Sequence, residues 1–250
     1  MTLKNEILNH VQETFPNTYD LQKQYMSHPG YSLLTLDNFL PSRVVQEMSQ
    51  ELESIPLEHC KHFTRKGSCM YEHNKLEDTP IADAVMHALH SSPFVKWLQE
   101  VTDTIDLIPD PHLIGAGYMK SFRGDSLKIH TDFNWNEQLR LHRMVSVVIY
   151  LNEDWHEEWG GQLNFYDIGR KKVLTKVPVG PGNVVIWNYN NLAFHGYPDP
   201  MTCPEGVSRK GIRFFYYVSN AQHDDKHPPH RSLYWFDEKT GTPYDQPWNK

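Results

Sequence analysis

The feature that most limits what this chain can fold into is a change of hydrophobic period near residue 105. Before it, apolar residues recur at helical spacing, first at Ile7 and Val11 and then at Val44, Val45, Met48 and Leu52. Pro41 and Ser42 supply a helix start for the second set. Ser91, Ser92 and Pro93 supply another, opening a helix whose apolar positions include Phe94, Val95, Trp97 and Leu98. Gly30 to Leu40, rich in Tyr, Leu and Thr, predicts a strand ahead of the first long helix. After the change, short β-rich runs follow one another: Val145 to Leu151, Gln162 to Tyr166, Val184 to Trp187 and Ile212 to Val218. Val179-Gly180-Pro181-Gly182-Asn183 is strong turn chemistry between two of them. Helices first and many short strands afterwards predict an α+β chain, with a barrel or two-sheet roll behind a helical N-terminal flank.

The 250 residues fit one domain, divided into a mainly helical scaffold (1–104), a strand-rich part (105–220) and a C-terminal extension (221–250). The formal charge is -7, from 24 basic against 31 acidic residues, and the basic ones are dispersed. That argues against a nucleic-acid or anionic-membrane partner. No apolar run approaches the ~20 residues of a membrane helix, and Met1 to Asn9 do not read as a leader. Cys60, Cys69 and Cys203 lack Cys-x-x-Cys spacing, so neither a disulfide framework nor a thiolate zinc site is expected, and a reducing cytoplasm suits them.

His130 and Asp132 stand two apart, so on an extended segment both side chains leave the same face and can chelate one ion. His195 lies several strand lengths further on, after the apolar run Val184 to Trp187 and before a Gly196-Tyr197-Pro198 turn. A rolled sheet brings such distant positions together. Two imidazoles and a carboxylate on one face of an octahedral iron leave adjacent positions open for a bidentate 2-oxo acid and dioxygen. With 15 histidines in the chain a chance His-x-Asp is unsurprising, so the surroundings have to carry the assignment.

Those surroundings are Tyr118 ahead of His130-Thr131-Asp132, then Val147-Val148-Ile149-Tyr150-Leu151-Asn152 with Asp154-Trp155 following. Next come Gly160-Gly161-Gln162-Leu163, Pro181-Gly182-Asn183, His195-Gly196 and Gly211-Ile212-Arg213. In this order the stretch 112–219 resembles the prolyl-hydroxylase-like branch of the iron(II)/2-oxoglutarate-dependent dioxygenases. The resemblance implies a double-stranded β-helix (jelly-roll, cupin-like) core with helices packed on one side. It also implies Fe(II) held by His130, Asp132 and His195, with 2-oxoglutarate and O2 as cosubstrates. The reaction so implied is decarboxylation of 2-oxoglutarate to succinate coupled to hydroxylation of a C–H bond. Asp132 is intact where related halogenases carry a small residue.

The same resemblance implies that Arg213 pairs with the distal carboxylate of 2-oxoglutarate, fork to fork, and that Tyr118 and Tyr150 line the cosubstrate pocket. Two departures bear on this. Asp199 to Lys210 reads as an inserted loop, making Lys210 a rival anchor just before the strand, and position 215 is Phe where relatives with an Arg-x-Ser motif carry a hydroxyl. Asn134 and Trp135 follow the metal motif closely enough to reach substrate, and Tyr234, Trp235 and Phe236 can cover the mouth. His142, His156, His227 and His230 have no partner at ligand spacing. The expected substrate is an amino-acid-type small molecule or a peptidyl residue such as proline. The competing readings are a cupin-like zinc hydrolase or isomerase, in which Arg213 has no role, and a silent binding module, which would not need three intact ligands.

Overall fold

The computed structural model describes residues 1–28, 31–167, 172–189, 192–219 and 228–234. Gly30, His227, Trp235 and Phe236, named above, lie outside these residues. The helices are α1 (Leu3–Thr14), α2 (Thr18–Met26), α3 (Ser42–Ser54), α4 (Pro80–Leu89) and α5 (Ser92–Thr102). The Pro41-Ser42 and Ser91-Ser92-Pro93 starts fall where the sequence places them.

The strands in the first part of the chain are β1 (Leu33–Leu36), β2 (Lys61–Arg65), β3 (Ser68–His73), β4 (Ile108–Pro109), β5 (Gly117–Ser121), β6 (Leu127–Thr131) and β7 (Trp135–Asn136). They are followed by β8 (Leu141–Tyr150), β9 (Leu163–Tyr166), β10 (Val173–Val177), β11 (Val184–Asn188), β12 (His195–Tyr197), β13 (Arg209–Val218) and β14 (Leu233–Tyr234). Within the mainly helical part before residue 105, beside the expected strand near residues 30–40, β2 and β3 form a further hairpin about Lys66-Gly67 that joins the larger sheet. The last long strand begins at Arg209, so Lys210 is a strand residue and not part of a loop.

Among the described residues the strands make two antiparallel sheets. The larger runs β1-β11-β8-β13-β5-β3-β2, with β4 on β13 and β7 on β8, and the smaller runs β10-β9-β12-β6-β14. This is the double-stranded β-helix with a helical flank. Alternation along the strands of the larger sheet decides which side each residue serves. Val145, Val147 and Ile149 of β8, with Ile212 and Phe214 of β13, pack against Val44, Met48, Leu52, Val85 and Leu98 of the helices. Val148 and Tyr150 of β8, Met119 of β5 and Trp187 of β11 point the other way, against Leu163, Phe165 and Tyr197 of the smaller sheet. Each large apolar side chain so buried contributes ~1.5–3 kcal/mol. The helices stiffen one sheet from behind, and the space between the sheets is left for a site.

Candidate metal centre

β6 and β12 pair antiparallel with His130 directly opposite His195, which sets the ring centroids 4.6 Å apart. The pairing depends on Gly196, where a Cβ would stand 2.5 Å from the Leu127 carbonyl oxygen. Asp132 follows β6 on the same side, with its carboxylate oxygens 3.8 Å from His130 Nε2 and 3.7 Å from His195 Nε2. The three ligand atoms lie within 4.8 Å of one another and could hold a metal ion. Two atoms each ~2.1 Å from one ion can be no more than ~4.2 Å apart, so the His130–Asp132 and His195–Asp132 separations suit a shared ion.

Both imidazoles are oriented by backbone. Nδ1 of His130 lies 2.8 Å from the Lys128 carbonyl oxygen and Nδ1 of His195 lies 2.8 Å from that of Ala193, so each Nδ1–H donates there and each Nε2 presents its lone pair to the ion position. Burial, then the neighbouring His195, pushes the His130 pKa down to about 3, and burial pushes His195 down as well. Both rings are therefore neutral, the form that binds a metal. Burial alone would raise Asp132, but Arg143 and then the two histidines hold it below the usual carboxylate range. Arg143 Nη2 donates to Asp132 Oδ2 at 3.1 Å. Tyr234 of β14 stacks on His130 with centroids 5.3 Å apart, bringing the third strand partner to the site.

The triad opens into a cavity of about 490 Å³ between the sheets, within the usual size of a small-molecule site. Tyr150 lines it, and its fully buried hydroxyl accepts a hydrogen bond from Arg209 Nη2 at 2.9 Å. Arg209 is the residue that sequence reasoning missed. Its guanidinium lies over the Tyr150 and Tyr197 rings, at 4.8 Å and 4.5 Å, and Nε donates to the Gly161 carbonyl oxygen at 2.7 Å. Gly161 has to be glycine, since φ is +79° and a Cβ would meet Met201 Sδ at 2.7 Å and Arg209 Cδ at 3.0 Å. Arg209 is only 3% exposed, yet no carboxylate among the described residues pairs with it. A buried cation so placed calls for an anion from outside the chain.

The remaining predicted site residues are distributed differently. Arg213 does line the cavity, but its Nη2 is already paired with Glu72 Oε1 and its Nη1 points to Met70 Sδ. Lys210, on the opposite face of β13, pairs with Glu53 at 3.4 Å. Tyr118 is corrected outright: it is the helix-facing neighbour of Met119, and its hydroxyl donates to Glu51 Oε2 at 2.7 Å under α3. Asn134 and Trp135 are corrected too, since neither lines the cavity. Asn134 is buried and grips the later chain through Pro228 O and the His230 backbone N–H. Trp135 packs edge-on to His142 across β7 and β8. His156 is exposed beside Glu158.

Similarity to known proteins agrees with this site. No curated protein matches the chain by sequence. In structure the chain is similar to a Pseudomonas putida prolyl-4-hydroxylase, at 16% identity over 81% of this chain and 99% of that one, with a TM-score of 0.57. It is also similar to a Trichoplax adhaerens prolyl hydroxylase, at 18% identity over 82% and 92% of the two chains, with a TM-score of 0.59. HygX from Streptomyces hygroscopicus, solved with nickel and 2-oxoglutarate bound, gives 13% identity over 84% and 96%, with a TM-score of 0.55. These likenesses show the fold. Residues 116–217, which include the triad, Tyr150 and Arg209, match the family model of the 2OG-Fe(II) oxygenase superfamily. The segment that holds the triad is therefore similar to that superfamily, and the chain is a 2-oxoglutarate-dependent, iron-dependent oxygenase.

Proposed function

We propose that this hydroxylase holds its iron through His130, Asp132 and His195, receives the distal carboxylate of 2-oxoglutarate on Arg209 and Tyr150, and hydroxylates a C–H bond of an amino-acid-type substrate. The observation that carries the reading is the buried, carboxylate-free Arg209 in the same cavity as the triad. The donor set fits iron, with two neutral imidazoles and one carboxylate on one side of the ion position. When bound, iron and 2-oxoglutarate supply oxidising power for C–H hydroxylation, with succinate and carbon dioxide as by-products.

The chain's own residues bind, orient and exclude. Arg209 gives the cosubstrate carboxylate a planar, charged donor, and the Tyr150 hydroxyl adds a second donor once it rotates toward the ligand. Leu163, Trp187 and Tyr197 wall this end of the cavity with little polar surface, which strengthens the ion pair by keeping water out. Arg143 keeps Asp132 ionised and anchors its Oδ2, which steadies the carboxylate beside the two imidazoles. A zinc hydrolase has no use for the Arg209 and Tyr150 cradle. The Trichoplax relative was solved with a peptide fragment and HygX with hygromycin B, so this fold accommodates both peptide and small-molecule ligands.

His130→Ala, Asp132→Ala and His195→Ala are each expected to reduce succinate formation from 2-oxoglutarate to background while preserving the far-UV circular dichroism spectrum. Near-wild-type succinate production in any two of them would remove the triad from the mechanism. Anaerobic titration with Fe(II) and then 2-oxoglutarate separates the loss of metal from the loss of cosubstrate.

A further inference from the structure

Beyond the triad the cavity wall changes character. Arg209, Arg213 and Phe215 succeed one another along the inner face of β13, while Tyr150, Ser146 and Arg143 succeed one another along the antiparallel β8. Arg209 and Tyr150 thus mark one end, and Arg143, Arg213 and Phe215 mark the other. Arg143 and Arg213 both lie against the Phe215 ring, with guanidinium carbons 3.4 Å and 5.9 Å from its centroid.

Neither guanidinium is satisfied. Arg143, only 1% exposed, gives Nε and Nη2 to Ser146 Oγ at 3.1 Å and 2.8 Å and Nη2 also to Asp132, and its buried Nη1 has no hydrogen-bond partner. Arg213 pairs with Glu72, but its buried Nε has no partner either. The charges point the same way. Ferrous iron, dianionic 2-oxoglutarate, Asp132 and Arg209 cancel among themselves. Arg143, Arg213 and Glu72 then leave one positive charge over, and Lys61 and Arg231 on the exposed rim add to it. A buried excess cation with unmet donors is costly until an anion joins it.

We propose that the substrate is a small molecule with a free carboxylate, received between Arg143 and Arg213 beside the Phe215 ring, and not an internal residue of a peptide. The assignment rests on the hydroxylase reading above and narrows its substrate to organic acids and free amino acids. Phe215, which lines the cavity with Arg143 stacked on its ring, gives the apolar stem of such a molecule a hydrocarbon wall, and the carboxylate end meets the guanidiniums. The C–H bonds between them then lie beside the triad.

Titration calorimetry on the full chain loaded with Mn(II), an oxygen-stable substitute for iron, and 2-oxoglutarate tests this. The probes are the twenty free L-amino acids and short mono- and dicarboxylic acids, each beside its amide, together with an N-acetylated, C-amidated proline peptide. The expected result is that at least one free acid binds about tenfold or more tighter than its amide. Arg213→Gln should weaken that acid about tenfold or more, and Arg213→Lys should restore part of the loss. Lys61→Gln, at the exposed rim, should give a smaller loss that shrinks as salt is added. Equal binding of acid and amide, tighter binding of the capped peptide, binding of no acid at all, or indifference to both Arg213→Gln and Lys61→Gln would each overturn the proposal. Failure of 2-oxoglutarate itself to bind the Mn(II) form would instead remove the reading on which it rests.

Discussion

The two sheets put polar groups into one cavity but hold them by different means. On the smaller sheet, His130 and His195 are fixed by strand register and by carbonyl groups two residues before each of them, at Lys128 and Ala193. On the larger sheet, the cations are held by other side chains: Arg143 by Ser146 and Asp132, Arg213 by Glu72, and Arg209 by the Tyr150 hydroxyl together with one carbonyl at Gly161. Backbone-set donors keep a fixed geometry, as a metal requires. Of the side-chain-set donors, Arg209 and Arg213 bond no member of the triad and can be changed without touching a metal ligand, whereas Arg143 also holds Asp132.

The sharpest break of this comparison is between Arg209 and Arg213, four positions apart on one face of β13. Removing one partner of a buried ion pair costs ~3–5 kcal/mol, and solvent entry into an open cavity lowers this. Arg209→Ala should therefore raise the 2-oxoglutarate requirement by ~10²–10³-fold with metal affinity nearly unchanged. Arg213→Ala should shift 2-oxoglutarate affinity by less than about threefold, since that carboxylate is received by Arg209 and Tyr150 at the other end of the inner face. Separate anaerobic titrations of metal and cosubstrate read both, and a large cosubstrate effect in Arg213→Ala with none in Arg209→Ala would reverse the assignment.

Gly196→Ala attacks the other sheet through its backbone. The added methyl meets the Leu127 carbonyl, so β6 and β12 must part, at a cost of ~1–3 kcal/mol in urea unfolding and with a loss of metal affinity that Arg209→Ala does not show. Unchanged metal binding would mean that strand register does not set the ligand geometry.

The pH dependence of the metal-free protein separates the sheets more gently. His130 is held down at about 3 and His195 is lowered too, against ~6.5 in the unfolded chain. The unfolded state thus binds protons below ~6.5 that the folded state refuses, so stability is full above that pH and declines as pH falls from ~6.5 toward 3. Asp132, also lowered, acts in the same direction at the acid end. Urea midpoints at pH 7 and pH 5 should differ less in His130→Asn than in the wild type.

The smallest effect is expected behind the larger sheet. Tyr118→Phe removes a hydroxyl bonded to Glu51, a change of about 1 kcal/mol or less, and should leave 2-oxoglutarate affinity unaltered. A rise in the 2-oxoglutarate requirement would return Tyr118 to the pocket.

What the sequence shows and hides follows from the periods of the elements. His130 and Asp132 are legible because a two-residue spacing needs no tertiary knowledge to share a face, and the Pro41-Ser42 and Ser91-Pro93 starts carry their own stereochemistry. Arg209 was hidden because reading the last strand from Ile212 leaves Arg209 in a loop, whereas alternation through Arg209, Gly211, Arg213 and Phe215 shows a strand beginning earlier. Tyr118 failed by parity, since its neighbour Met119 takes the inner face. The β2–β3 hairpin carried one signal, the Lys66-Gly67 turn between β-rich flanks, among residues otherwise spaced like helices. Only nearness in sequence to the ligands points to Asn134 and Trp135, and nearness says little once a chain leaves a strand.

The position of β6 between β12 and β14 has a consequence for the order of assembly. His130 faces His195 on one side and Tyr234 on the other, both far downstream in the sequence. These are long-range closures, whose chain entropy must be lost before the contacts repay it, so they belong to the late, slow part of folding. A chain emerging from the ribosome carries His130 and Asp132 for a long interval as an incomplete pair of ligands. The third ligand and the covering ring arrive only when the barrel is nearly finished, so binding of redox-active iron is coupled to completion of the walls that shield it.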